Sequence, residues 1–235
     1  ALVTDPRRAH VTGFSQGGHA TWDMGAAHAA RFAGIAPFIG HPPPPQQFTS
    51  FRDTALYAVG GEKDFHSPGL VRPAMAAIAQ TGAAAMYIEY RDRGHELFFE
   101  EYPALVHWML SRRRQRDGEV TVFCLAPTET RRDWLEILEP VRGWPPSRRH
   151  LDDGLLVEGR IRGQTIELES ANVRRARVYF SPDLLDVRRE VGIVANGRRV
   201  FAGRPPVDWR FALEDAHRRR DRLAAYVGAV EVPLR

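Results

Sequence analysis

Three short segments carry residue types that work together in nucleophilic catalysis. They are GFSQG at Gly13–Gly17, GGEKD at Gly60–Asp64 and RGHEL at Arg93–Leu97. A serine hydroxyl is a weak nucleophile until a neighbouring base takes its proton. The usual base is an imidazole, held in place by a carboxylate. Ser15, His95 and Asp64 supply these three groups.

The first segment fits the pattern G-x-S-x-G. The strand-like run HVTGF precedes it and a helix rich in small residues follows. This is the strand–turn–helix setting in which a serine sits on a strained turn with its hydroxyl exposed. Gly13 and Gly17 are expected because a Cβ at either would collide with the neighbouring strand and helix. The helix N-terminus behind Ser15 favours developing negative charge. The plainer reading is a glycine-rich turn with an idle serine. Asp64 stands just past the strand-like run LYAVGG, where open α/β sheets place their functional groups. Glu62 is its main rival, and a simple helix cap before Ser67 is the plainer role. His95 follows another strand-like run. Of the nine histidines, His66 is its one serious competitor. His10 falls in or beside a strand, and His19, His28 and His107 fall on helices. A surface loop histidine is the plainer reading of His95.

These residues need a scaffold that brings three strand ends to one edge. Residues 1 to about 117 alternate strand and helix: AHVTGF, GGHATWDMGAAHAARF, AGIAPFIG, TALYAVGG, a helix from Pro68 to Gln80 that Pro73 could kink, AAMYIEY, and a last helix in ELFFEEYPALVHWMLSRRR. Such alternation predicts an α/β fold with a parallel sheet built by βαβ crossovers.

The pattern changes near Asp117-Gly118. Residues 118–235 read as short strands (VTVFCLA, WLEILE, LLVEGRI, QTIELE, RARVYF, EVGIVANG, RRVFAG, YVGAVEV) with one helix near 208–224. Asn196-Gly197 is a strong hairpin signal, and Gly163-Gln164 a weaker one. A β-rich, sandwich-like second domain is expected. Its carboxylates Asp152, Asp153, Asp183 and Asp186 lack the spacing of a calcium loop and read as turn caps. Trp134, Trp144 and Trp209 read as core or hinge aromatics rather than a polymer-binding face.

Composition narrows the alternatives. The formal charge is +4, from 33 basic and 29 acidic residues, and Lys63 is the only lysine. The arginines are spread among acidic residues. The clusters Arg112–Arg114 and Arg218–Arg220 fall on or beside helices, which reads as solvated surface rather than a nucleic-acid face. No run of 18 apolar residues suggests a membrane span. The single cysteine, Cys124, lies in an apolar run and reads as a buried structural thiol. No metal or organic cofactor is called for. No leader-like segment is visible, and the sequence assigns no compartment.

The chain order is Ser, Asp, His, which is the order of α/β-hydrolases. GFSQGG, GGEKD and GHEL resemble that superfamily, most closely its esterase, polyhydroxybutyrate-depolymerase-like and prolyl-oligopeptidase-like branches. The resemblance covers residues 1 to about 112. It implies that Ser15 attacks a carbonyl, that His95 takes and returns the proton, and that Asp64 orients His95. The backbone N–H of Gln16 would supply half of an oxyanion hole. The implied substrate is a small-molecule or polymer ester. A peptide substrate is the alternative within enzymes, and a non-catalytic binding or assembly module the alternative outside them. Members of the superfamily carry further strands and an oxyanion loop ahead of the nucleophile strand. The expectation is therefore that residues 1–117 are the C-terminal half of such a sheet, completed by a preceding segment or by a partner chain.

Overall fold

A computed structural model describes residues 5–65, 67–114, 116, 118–124, 130–144, 154–219 and 224–235. The chain divides into two compact units, Ala1–Gln115 and Arg116–Arg235.

In the first unit four strands, β1 (His10–Phe14), β2 (Gly34–Phe38), β3 (Ala55–Gly61) and β4 (Ala85–Tyr90), lie side by side in chain order. All three pairings are parallel. Helix α1 (Gln16–His28) joins β1 to β2, a 3₁₀ segment (Pro45–Phe51) lies between β2 and β3, α2 (Ser67–Gln80) joins β3 to β4, and α3 (Tyr102–Ser111) follows β4. A parallel pair cannot be joined by a tight turn, so each return crosses a face of the sheet. Side chains alternate between faces along a strand, and the core divides accordingly. Ile35, Leu56 and Ala58 pack with Trp22 of α1 and Val71 and Ile78 of α2. Ala36, Phe38, Tyr57 and Val59 pack with Leu105 and Trp108 of α3. The sheet thus lies between two helical layers.

One expectation changes. The last helix is shorter than the run from Glu96 suggested. A single 3₁₀ turn at Phe99–Glu101 precedes α3, and Phe98 is fully buried ahead of it. Helix α2 runs through Pro73 without ending there. Among the described residues β1 pairs only with β2, so it is an edge of this sheet, and its residues are mostly half-buried rather than buried.

Among the described residues the second unit holds nine strands in two sheets. They are β5 (Glu119–Cys124), β6 (Arg131–Arg132), β7 (Leu135–Pro140), β8 (Leu155–Arg162), β9 (Thr165–Ala171), β10 (Val173–Phe180), β11 (Val191–Ala195), β12 (Arg198–Gly203) and β13 (Gly228–Pro233). The sheet orders are β13-β10-β7-β6 and β12-β11-β9-β8-β5. Pairing is antiparallel except between β9 and β11. Residues of both sheets share one core around Trp134, Leu135, Val157 and Val178. Asn196 and Gly197 both have positive φ, 47° and 76°, and turn β11 into β12. That is the requirement of a type I′ turn.

Trp134 is core and Trp144 packs against it, whereas Trp209 is 67% exposed. The three tryptophans therefore form no common face. Asp183 pairs with Arg116. Asp186 accepts from the Arg188 N–H in a turn. Asp152 and Asp153 lie outside the described residues. Burial pushes the Cys124 thiol up to about 11, which keeps it protonated near neutral pH.

Helix α4 (Trp209–Arg219) is polar for most of its length, and its N-terminus is capped by Asp208, which accepts from the Arg210 N–H. Its one fully buried side chain is the carboxylate of Asp215. Arg131 of β6 reaches that carboxylate at 2.5 Å, and Arg219 at 2.7 Å. Arg131 also lies over the Tyr179 ring at 3.4 Å. Burial alone would raise the Asp215 pKa. The two arginines more than offset it and hold the carboxyl below the ordinary 3.8. A depressed carboxylate stabilises the folded state fully above its unfolded pKa, and this contribution is lost as pH falls through the folded value. Asp215→Asn leaves two arginines without their anion and should cost about 3 kcal/mol at pH 7. The gap between wild type and variant should begin to narrow only below about pH 4 and close as pH falls through the folded value, so that it is smaller at about pH 2 than at pH 7. Denaturant unfolding followed at both pH values checks this, and a gap independent of pH would rule out the ionic anchor.

Candidate active site

The first segment of interest sits at the end of β1. Ser15 follows Phe14 directly and stands at the N-terminus of α1 with φ 56° and ψ −112°. Positive φ is costly for a residue with a Cβ. It is held here by backbone bonds on both sides. The Ser15 N–H donates to the Phe38 carbonyl at 3.0 Å, and the Ser15 carbonyl accepts from the His19 N–H at 3.0 Å. The Gln16 N–H belongs to the first turn of α1, where N–H groups lack an intrahelical acceptor.

The glycines around Ser15 do not share the steric work as expected. A Cβ on Gly13 would run into the backbone of Gly17. A Cβ on Gly17 would meet nothing within 4 Å, so the expected collision at Gly17 is absent. The demand falls instead on Gly18, whose missing side chain leaves room for the Phe38 and Ile39 carbonyl oxygens at the end of β2. The last glycine of GFSQGG, Gly18, rather than Gly17, lets α1 approach the sheet.

The second and third segments are stitched together beyond the ends of β3 and β4. The Glu62 N–H donates to the Tyr90 carbonyl at 2.9 Å and the Lys63 N–H to the Arg93 carbonyl at 2.8 Å. Gly61 makes this approach possible, because a Cβ there would strike the Arg93 and Gly94 carbonyl oxygens. Lys63 adds an ion pair to Asp92 at 2.9 Å. Glu62, the rival acid, is otherwise engaged: its Oε2 accepts from the Asp92 N–H at 2.9 Å. Asp64 turns inward, its N–H on the Gly61 carbonyl and its side chain with no exposed surface.

His95 joins the two. Its Nδ1 lies 2.7 Å from Asp64 Oδ2, and its Nε2 lies 2.9 Å from Ser15 Oγ. An ionised carboxylate only accepts. Nδ1 therefore carries the proton and donates to Asp64, which leaves the Nε2 lone pair to accept from the Ser15 hydroxyl. The competitor His66 lies outside the described residues. His10 is engaged with the Arg8 carbonyl, and His19 Nδ1 accepts from the His41 N–H.

The His95 loop has supports that no motif announced. Arg93 donates to Glu96 at 2.6 and 3.0 Å and to Glu100 at 2.5 Å. Its guanidinium lies over Tyr90 and Phe98, whose rings stack at 4.6 Å. Behind them Glu101 is buried and accepts from the hydroxyls of Tyr57 and Tyr90. Burial, and then the hydrogen bond to Glu101, push the Tyr90 hydroxyl up to about 12 and Tyr57 higher still. Both remain phenols and keep donating. The only sequence signal for this network is the density of charge in RDRGHELFFEE, which does not say which pairs form.

Among the described residues no group of three or more His, Cys, Asp or Glu is arranged to hold a metal ion. Among the described residues no helix is long and apolar enough to cross a membrane.

No family model matches the chain, and no curated protein matches it. Solved structures similar to part of it include Arabidopsis thaliana SOBER1 (20% identity, 46% of this chain and 54% of that one, TM-score 0.41). A thermostable esterase is another (22% identity, 47% and 32%, TM-score 0.40). Zea mays acyl-protein thioesterase 2 is a third (14% identity, 43% and 54%, TM-score 0.38). The chain spans about half the length of the first and third and about a third of the second.

The glycine geometry gives a direct test. Gly18→Ala should destabilise the chain by roughly 1–3 kcal/mol through overpacking. Gly17→Ala should be neutral or stabilising by up to about 1 kcal/mol, because alanine favours the helix. Denaturant unfolding measures both, and equal losses would remove the steric distinction.

Proposed function

We propose that the first unit carries the active centre of a serine hydrolase that cleaves a carboxylic ester through an acyl-enzyme. The observation that carries this reading is the unbroken hydrogen-bonded path from a buried carboxylate, through one imidazole, to a serine hydroxyl on a strained strand–helix turn.

In this reading Ser15 Oγ attacks the ester carbonyl carbon while His95 Nε2 takes its proton. The carbonyl oxygen becomes an oxyanion and accepts from the Gln16 N–H, with the N-terminal end of α1 behind it. The imidazolium is held by Asp64 through Nδ1–H. The intermediate collapses, the alkoxide leaves with the proton from Nε2, and the acyl group stays on Ser15. Water then attacks the acyl-enzyme with His95 again as base, and Ser15 is regenerated. Asp64 keeps the imidazole in the useful tautomer.

Labelling with a fluorophosphonate probe, followed by peptide mapping, tests the nucleophile without a known substrate. It should be run on this chain and, where its gene encodes residues ahead of Ala1, on the form that includes them. Modification is expected on Ser15. Turnover of an activated ester should fall by roughly 10⁴-fold or more in Ser15→Ala, His95→Ala and Asp64→Asn, and the losses should not add. Glu62→Gln should stay within a few-fold of wild type, because its amide oxygen still accepts from the Asp92 N–H. Normal turnover in Asp64→Asn would remove Asp64 from the assignment. Absence of labelling in both forms would reject the hydrolase reading.

A further inference from the structure

Two hydrogen bonds hold the edge of the His95 ring, one at each nitrogen. They leave the tilt of the ring about the line joining them undetermined. The side chain is 30% exposed and rides on the loop between β4 and α3. Its tilt therefore depends on what packs against its faces. Phe14 lies with its ring centre 5.4 Å from the imidazole at an interplanar angle of 57°. Phe65 lies at 5.2 Å and only 21° from parallel. Phe65 is 76% exposed, so burial of its own surface gains little. It is also the residue after Asp64. One turn thus presents a carboxylate to the edge of the imidazole and a phenyl ring to its face.

We propose that Phe65 is a positioning residue: stacked on His95, it holds the imidazole in the plane that joins Asp64 to Ser15 and favours the imidazolium that forms when Ser15 loses its proton. The proposal rests on the serine-hydrolase reading above. The second effect follows from the ring quadrupole. A cation over an aromatic face is attracted to it, and a neutral ring much less so. The contact strengthens as charge develops on His95, and an interaction made mainly in the transition state raises kcat rather than lowering KM. Phe65 enters no covalent step.

The alternative role for an exposed ring at this place is a wall against the apolar part of the substrate. Phe65→Ala, Phe65→Leu and Phe65→Tyr separate the two. The measurements are Ser15 labelling rate, kcat and KM for p-nitrophenyl acetate and octanoate, and the NMR shifts of the His95 ring protons. Stacking predicts that Ala and Leu lower kcat and the labelling rate about tenfold with both esters, at unchanged KM. Tyr should restore both. The His95 ring protons should move downfield in Ala and Leu as the ring current of Phe65 is lost. A KM that rises with acyl length at unchanged kcat would overturn the proposal in favour of a substrate wall. So would wild-type labelling rates in Phe65→Ala and Phe65→Leu while Ser15→Ala is dead. If wild-type Ser15 does not react in any form of the protein although the ring-current shift is present, the hydrolase reading fails and Phe65 loses its role with it.

Discussion

The arrangement of the first unit turns on a carboxylate with no exposed side-chain surface. Asp64 cannot be buried as an anion without a donor, and His95 Nδ1–H is that donor at 2.7 Å. The bond ties the segment after β3 to the segment after β4. It leaves only one nitrogen of the imidazole to point at Ser15. The backbone bonds from Glu62 and Lys63 to Tyr90 and Arg93, and the room left by Gly61, all serve the same approach. Were the two loops further apart, this bond would be lost, and with it the means of fixing the imidazole tautomer.

A second layer keeps the loop bearing His95 from moving away. Its parts are again polar groups that burial obliges to find partners. Glu101 is buried and sits on two phenols, one from β3 and one from β4, the strands that precede Asp64 and His95. Arg93 covers the stacked rings of Tyr90 and Phe98 and reaches Glu96 and Glu100. A surface ion pair alone contributes little. Here each is combined with an aromatic face and a fixed backbone, so the network specifies a loop conformation more than it adds stability.

The second unit uses related chemistry for another purpose. Arg131 and Arg219 hold Asp215, and with it a helix that has little apolar surface to bury. Arg116 holds Asp133 and Asp183 and lies over Tyr226. The exposed ladder of Arg174, Arg175 and Arg177 with Glu139, Glu136 and Glu231 runs across β7, β10 and β13. These arginines are paired across the strands of one sheet.

The sequence by itself determined the alternation of strand and helix, the hairpin at Asn196-Gly197, and the positions of Ser15, Asp64 and His95 at strand ends. These are local properties: hydrophobic period, turn chemistry and residue type at a given spacing. It left Asp64 and Glu62 as rivals two residues apart, because which carboxylate turns inward depends on the path of the chain after Gly61. It named Gly17 where Gly18 does the packing, because the close neighbour is the end of β2, some twenty residues away in sequence. It extended the last helix back to Glu96, because apolar Leu97 and Phe98 fit a helical pattern until Phe98 is seen to fill the core. Arg93, Glu101 and Phe65 carried no motif at all. Their roles exist only once β3 and β4 lie side by side and place a phenol, a guanidinium or an imidazole within reach. Residue types and periods are written locally along the chain. Which polar group meets which is decided by the tertiary structure, since only there does burial force each one to take a partner.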